Sequence, residues 1–565
     1  MGSFISETSN YLFAIIIILY IISNVLVFSF KNKNVHNRFY FMQSILAVSF
    51  HAVGYITLFV RSEDLRYFFF FAFQEIIILA IILLYNTLYP TLSRLLLNNM
   101  IFFLYIGFVI LGRLAFDNAV RQFVITVAML IISLFIPWFF RKIRIWNKLT
   151  YLYCGVGIAL LALVWLTGQT TYGSKLAFRI FGMSFQPSEF VKVSIVFYLA
   201  AALSNKEDNL RYLTTGLFSA AHIVILVFSK DLGSAGIYFV TYIFMVYFAS
   251  EKFWVVLAGG FSGIGGFALA YKFFAHVRNR VKVWINPWSD IENSGYQLTQ
   301  SLFAIGTGGW FGMGLLNGTP ESIPLVNEDF IFSAIGEEMG VVVAACICAL
   351  YLMTILHMFR MAMQVKTLFY KLILSGFAVC LATQIFLTIG GGTRLIPLTG
   401  VTLPLMSMGG SSLCATILMF SIIQGIYVDE FRGETEPDED EYDDSEGFYD
   451  DAVETSGESD LPTDEDDEFD SVQIESDELP DDDVDELPDD DIDELSEEGI
   501  NESHEEDIDE LPEDETEEFY EEEIDELSVK DYEEEPLKEF EEAQVNEFEE
   551  VPVKELEESF EEYEP

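Results

Sequence analysis

Arg278–Gly340 reads RNRVKVWINPWSDIENSGYQLTQSLFAIGTGGWFGMGLLNGTPESIPLVNEDFIFSAIGEEMG, a long polar, Gly-rich loop between strongly apolar runs. It ends in Glu328-Asp329-Phe330-Ile331-Phe332, which puts a carboxylate where a helix re-enters an apolar layer. A lone acid there costs free energy, so Asp329 is expected to face water, a partner or a substrate. Capping its own helix is the plainer role for the same side chain.

Outward from this loop the chain is apolar on both sides. A membrane-spanning helix takes about 20 mostly apolar residues. By that measure spans are expected near 11–30, 40–60, 68–88, 98–114, 121–140, 149–167, 189–204, 211–229, 232–250, 253–275, 329–358, 366–390 and 400–428. The expected fold class is therefore an all-α polytopic membrane protein. The first run follows Glu7 and lacks a basic leading region, so it reads as a span and not as a cleaved leader.

Beyond Val428 the composition changes. Residues 429–565 hold 69 acids against four bases, a net −65, whereas the preceding residues carry +10. Such a tail is expected to be disordered, since repulsion and scarce apolar residues prevent a core. It would also repel phosphate, which argues against nucleic acid as a partner. The tail repeats Asp-Glu-Leu at Asp477, Asp485, Asp493 and Asp509, usually with Pro following. Each copy is a candidate short motif for a basic cytoplasmic partner, and several copies would add avidity; a solvating brush is the plainer reading. Cys154, Cys346, Cys348, Cys380 and Cys414 all lie in apolar segments without metal-ligand spacing and read as small core residues.

Basic residues set the orientation. Lys31, Lys33 and Arg38 share one loop, Arg141, Lys142, Arg144 and Lys148 another, and Arg360, Lys366 and Lys371 a third. With thirteen spans these loops share one side, which charge bias makes cytoplasmic. The N-terminus is then expected outside, the acidic tail inside, and the loops at 168–188, 229–231, 276–328 and 390–400 outside.

Four outward-facing motifs follow. Gln186-Pro187-Ser188-Glu189 precedes Lys192; Pro187 suits a helix start, and Ser188 or a neighbour is a candidate cap. Glu189 and Lys192 lie three apart on one helical face and can neutralise each other, either only orienting helices or shaping a cavity. Lys230-Asp231-Leu232-Gly233-Ser234 reads as a tight turn with Asp231 as an N-cap. Gly390-Gly391-Gly392-Thr393-Arg394, with Pro397, Pro404 and Ser407–Ser412, is irregular backbone that must line a cavity or pack on protein. The fourth motif is the opening loop itself. Its Arg278, Arg280 and Lys282 suit a lipid phosphate or an interfacial anchor, and Gln297, Asp329, Glu337 and Glu338 follow.

In this order, FQPSE with Lys192, Asp231-Leu-Gly-Ser, GYQLTQSLFAIGTGGWFGMGL, DFIF with the following IGEE, and LIPLTGVTLPLMSMGGSS resemble the SEDS family of RodA, FtsW and SpoVE. The resemblance covers roughly 98–428. It implies a ten-helix core there, preceded by about three extra N-terminal helices over 1–97 and followed by the tail at 429–565. It further implies a peptidoglycan glycosyltransferase that polymerises lipid II at the outer face of the bacterial cytoplasmic membrane, beside a class B penicillin-binding protein. Elongation, division and sporulation roles all fit.

Carried over by position, the family's essential acid falls on Asp329, its cavity pair on Glu189 and Lys192, and its conserved Arg on Arg280. Gln297, in the same loop, is a further candidate for substrate contact. The chain departs from the pattern at Gly173-Ser174-Lys175, where many relatives have an Arg; Lys175 is the candidate substitute. The expected roles are Asp329 as general base, and Arg280 with Lys282 or Lys175 on the pyrophosphate, with Mg or Mn as a candidate aid whose ligands are unassigned. A lipid flippase is the rival reading, since intramembrane charge and broken helices suit transporters too. An inactive scaffold serving only its tail is a third.

Overall fold

The computed structural model describes residues 2–30, 32–171, 174–180, 183–205 and 210–431. The readings of the tail beyond Phe431 therefore lie outside the described residues. Among the described residues sixteen α-helices run α1 Gly2–Ser29, α2 Lys33–Ser62, α3 Leu65–Leu88, α4 Arg94–Leu114, α5 Phe116–Lys142, α6 Thr150–Thr167, α7 Pro187–Ser204, α8 Arg211–Phe228, α9 Leu232–Ser250, α10 Trp254–Phe273, α11 Ala275–Ile285, α12 Tyr296–Gly308, α13 Ile331–Glu338, α14 Gly340–Gln364, α15 Leu368–Gly392 and α16 Gly410–Glu430. Thirteen of these are long and apolar enough to cross a membrane; α11, α12 and α13 are not among them. In a lipid environment a helix satisfies its own backbone groups, which is why the apolar runs fold this way.

Four expectations need correction. The single span at 329–358 is two helices, because the chain breaks at Gly340, whose φ is 90°. There α14's free N–H groups find backbone partners: Val341 N donates to Gly309 O (3.0 Å) and Val342 N to Trp310 O (3.1 Å). In return Met313 N donates to Glu337 O and Gly314 N to Glu338 O, each at 2.9 Å. The span expected at 400–428 starts only at Gly410, because Ser407 Oγ accepts from Leu403 N (2.9 Å) and Gln122 donates to Ser407 O (2.8 Å), fixing a non-helical turn. The loop at 168–188 contains three antiparallel strands, β1 Gln169–Thr171, β2 Ser174–Ile180 and β3 Met183–Phe185, in that spatial order. The loop at 276–328 contains α12 and most of α11.

Helix α4 is the centre of the bundle; its whole apolar window is buried, against 6% for α10. Between helices in lipid the hydrophobic drive is weak, so close van der Waals contact and polar bonds hold them. Gly54 of α2 gives room to Val109, and Gly425 of α16 gives room to Pro137 and Phe140 of α5. The extra helices pack on the core. Asn99 of α4 accepts from Tyr20 and donates to Asn24, both on α1, and to Thr354 of α14, each at 3.0 Å. His51 of α2 lies between Glu75 (2.7 Å) and Gln74 (2.9 Å) of α3, and Tyr105 of α4 donates to Glu75 at 3.0 Å.

Contacts at the helix ends sort the loops into two groups. At one end Arg94 donates to Asn37, Arg144 pairs with Asp429 (3.2 Å), and Lys366 N donates to Glu430 (2.8 Å). At the other, Asn10, Arg61 and Arg113 all reach the 312–321 segment. The basic loops are gathered at the first end and the opening loop at the second.

Candidate functional site

Helix α11 leaves the end of α10 and presents Arg280, half-buried, toward the irregular strap 393–409. Arg280 Nη1 donates to Leu398 O (3.1 Å) and Thr399 O (3.0 Å). The strap is stitched back onto the same helix: Arg394 donates to Trp284 O (2.9 Å) and Ile285 O (2.6 Å), and Trp284 Nε1 donates to Arg394 O (3.1 Å). Gly400, at φ 72°, is where this strap passes Asp329; a Cβ there would lie 3.6 Å from Asp329 Oδ2 and 3.9 Å from Arg280 Nη2. Carboxylate and guanidinium thus face one point.

Asp329 does not cap α13. Phe330 occupies that position and no side chain caps the helix. Asp329 is free of that structural duty, half-buried, and held by its backbone N–H on Leu325 O at 3.1 Å. Burial pushes its carboxyl up to about 6; neighbouring Glu328 adds to the rise and Arg280 opposes it. Arg280 itself is lowered by burial, against the pull of Asp329 and Asp231.

A polar path continues inward. Asp231 caps α9, accepting from Ser234 N at 3.0 Å as expected, and also accepts from Ser188 Oγ at 3.0 Å. Ser188 therefore serves Asp231, and α7 has no side-chain cap. Fully buried Lys192 meets Glu189 at 2.6 Å and donates to Gln384 at 2.6 Å. Gln384 then donates to Thr402 O (3.0 Å) and Ser412 Oγ (3.2 Å), which ties the pair to the strap.

Other sequence candidates fall elsewhere. Lys282 is exposed on α11 and its charge acts on Asp290. Gln297 is half-buried in the first turn of α12, and no hydrogen bond joins it to Asp329 or Arg280. Lys175 lies in β2 opposite Thr170, and its side chain lies outside the described residues. Glu337 accepts from Thr319 N (2.8 Å), and Glu338 pairs with Arg113 (2.7 Å); both brace the loop. Gly400, Gln384 and His276 were missed. A polar Gln inside an apolar run was the signal for Gln384. His276, one turn before Arg280, has a buried Nε2 without a partner, and burial, Arg280 and Lys230 lower its pKa. Among the described residues no three His, Cys, Asp or Glu side chains converge to hold a metal. An all-protein cage for Mg or Mn is thus absent among the described residues.

A polytopic helix bundle with Asp329 and Arg280 both close to Gly400 falls in the class of multi-pass membrane proteins, and sequence comparison gives the family. The family profile described as cell cycle protein, FtsW/RodA/SpoVE, matches residues 86–430. The chain belongs to the FtsW/RodA/SpoVE family. It is 38% identical over 278 residues to the peptidoglycan glycosyltransferase RodA of Mycobacterium tuberculosis, covering 45% of this chain and 58% of that one. It is 32% identical over 290 residues to the stage V sporulation protein E of Bacillus subtilis, covering 50% of this chain and 79% of that one. The chain thus spans little more than half the length of the RodA relatives it matches. A solved structure described as showing structural coordination of polymerization and crosslinking by a peptidoglycan synthase complex is similar at TM-score 0.52 and 26% identity, over 60% of this chain and 99% of that one.

Proposed function

We propose that the chain is a peptidoglycan glycosyltransferase that polymerises lipid II at the outer face of the cytoplasmic membrane. The observation that carries this reading is Asp329 and Arg280 facing one point across Gly400. The names of the RodA and FtsW relatives support it. Charge bias supports the orientation: the basic loops lie inside, so the opening loop and the N-terminus lie outside and the acidic tail inside.

In this reading Asp329 takes the proton from the acceptor sugar hydroxyl. The hydroxyl oxygen attacks the anomeric carbon of the donor, the bond to the lipid pyrophosphate breaks, and the configuration inverts. Arg280 stabilises the departing diphosphate, with Lys282 or Lys175 as candidate sources of further positive charge and Gln297 as a candidate substrate contact, neither Lys282 nor Gln297 being hydrogen-bonded to Asp329 or Arg280. Glu189 and Lys192 keep the inner cavity shaped through Gln384. A class B penicillin-binding protein is the proposed cross-linking partner, a basic cytoplasmic protein that of the tail.

The decisive assay uses purified protein and labelled lipid II. Asp329→Asn is expected to slow polymerisation by about 10²–10⁴-fold, the usual worth of a placed general base. Polymer formed at the wild-type rate overturns the assignment.

A further inference from the structure

The segment Gly312–Gly318, which leads toward Asp329, is gripped from two sides. On one side stand helices that precede the family match at residue 86. Asn10 of α1 donates to Gly312 O at 3.1 Å, and Tyr11 sets its ring 5.1 Å from that of Phe311. Arg61, in the last turn of α2, donates to Leu316 O at 3.4 Å and to Asn317 Oδ1. On the other side Arg113 of α4 donates to Gly318 O at 3.1 Å and pairs with Glu321 and Glu338. Glu338 also accepts from Leu316 N at 3.1 Å.

The grip coincides with backbone that needs holding. Leu316 and Leu325 both have left-handed φ, 66° and 60°. A non-Gly residue there persists only where its surroundings over-determine it. Leu325 O is the acceptor that fixes Asp329 N. Between Leu316 and Leu325 the chain turns on Ser322 N to Thr319 O and Ile323 N to Pro320 O, each at 3.0 Å, so Arg61 is joined to the acid through the covalent chain and these local turns.

We infer that the extra N-terminal helices are a brace for the catalytic loop, with Asn10 and Arg61 as positioning residues that hold Asp329 through the 312–328 segment. The activity part of this inference rests on the proposed glycosyltransferase reading; the geometric part does not. Plain helix packing would use α1 and α2 only through buried contacts such as Tyr20 with Asn99. The loop bonds add something that packing does not require.

The test uses the full chain in lipid nanodiscs, with hydrogen exchange of peptides covering 312–328 and the lipid II polymerisation rate as paired readouts. Arg61→Met and Asn10→Ala are each expected to raise exchange in 312–328 about tenfold, the scale of one lost charge-assisted or buried hydrogen bond. They should lower kcat several-fold at unchanged KM. Arg61→Lys, which keeps a donor, should restore most of both, and Tyr20→Phe should move neither. Exchange in 312–328 within twofold of wild type overturns the brace, as does a uniform rise across all peptides, which marks a folding residue instead. If the wild-type chain makes no polymer, the glycosyltransferase reading fails while the exchange readout still decides the brace.

Discussion

A carboxylate working as a base near neutral pH is tuned by its surroundings, and Asp329 has three opposed influences. Burial and Glu328 raise its pKa, and Arg280 lowers it, leaving it at about 6. The base form then prevails above that value, so the polymerisation rate should fall toward tenfold per pH unit below about 6. Removing either neighbour should move this acid limb in a known direction. Arg280→Gln removes the opposing charge and shifts the limb to higher pH. Glu328→Gln removes a raising charge and shifts it to lower pH. A pH–rate profile of the two variants checks both signs; shifts in the same direction would refute the electrostatic account.

Among the elements, two junctions decide the geometry. Gly340 has φ 90°, and an added Cβ would come within 2.4 Å of Gly312 N and 2.5 Å of Trp310 O. Gly340→Ala should therefore lose about 1–3 kcal/mol from strain alone, more if the α13–α14 turn cannot shift, read as thermal unfolding in detergent. The second junction is His51 with Glu75, joined by Tyr105. Hydrogen bonds between helices in lipid average about 0.6 kcal/mol, so Tyr105→Phe should cost little. His51→Leu takes from Glu75 its His51 contact, leaving Tyr105 as its hydrogen-bond donor, and should cost clearly more. Equal losses in the same unfolding assay would contradict this ranking.

These junctions also show what was legible beforehand. Runs of about 20 apolar residues impose helices whatever they pack against, so the thirteen spans could be read from sequence. The break at Gly340 could not, because a Gly at the start of an apolar run carries no sign of the carbonyls of Gly309 and Trp310 that replace its helix bonds. The strands at 169–185 lay hidden for a similar reason: short segments depend on pairing partners more than on their own residues. Asp329, Arg280, Glu189 and Lys192 stood out as charges in or beside apolar segments. Gly400 did not, because its importance is the space it leaves between two side chains.

For the whole molecule, charge divides the chain near Val428. The residues through Val428 carry +10 and those after it −65. Deleting the tail from Arg432 onward should leave lipid II polymerisation intact; if the Asp-Glu-Leu repeats bind a basic partner it should also abolish localisation, as fluorescence of a tagged chain would show, whereas unchanged localisation would favour the solvating brush. The place of the cut matters, however. Arg144 grips Asp429, and the amide of Lys366 grips Glu430. Composition puts the border at Val428, yet these two carboxylates belong to the bundle. Chains ending at Phe431 should melt like the parent, whereas chains ending at Val428 should melt lower, with the last helix unmoored from its neighbours like a rope slipped from its cleat.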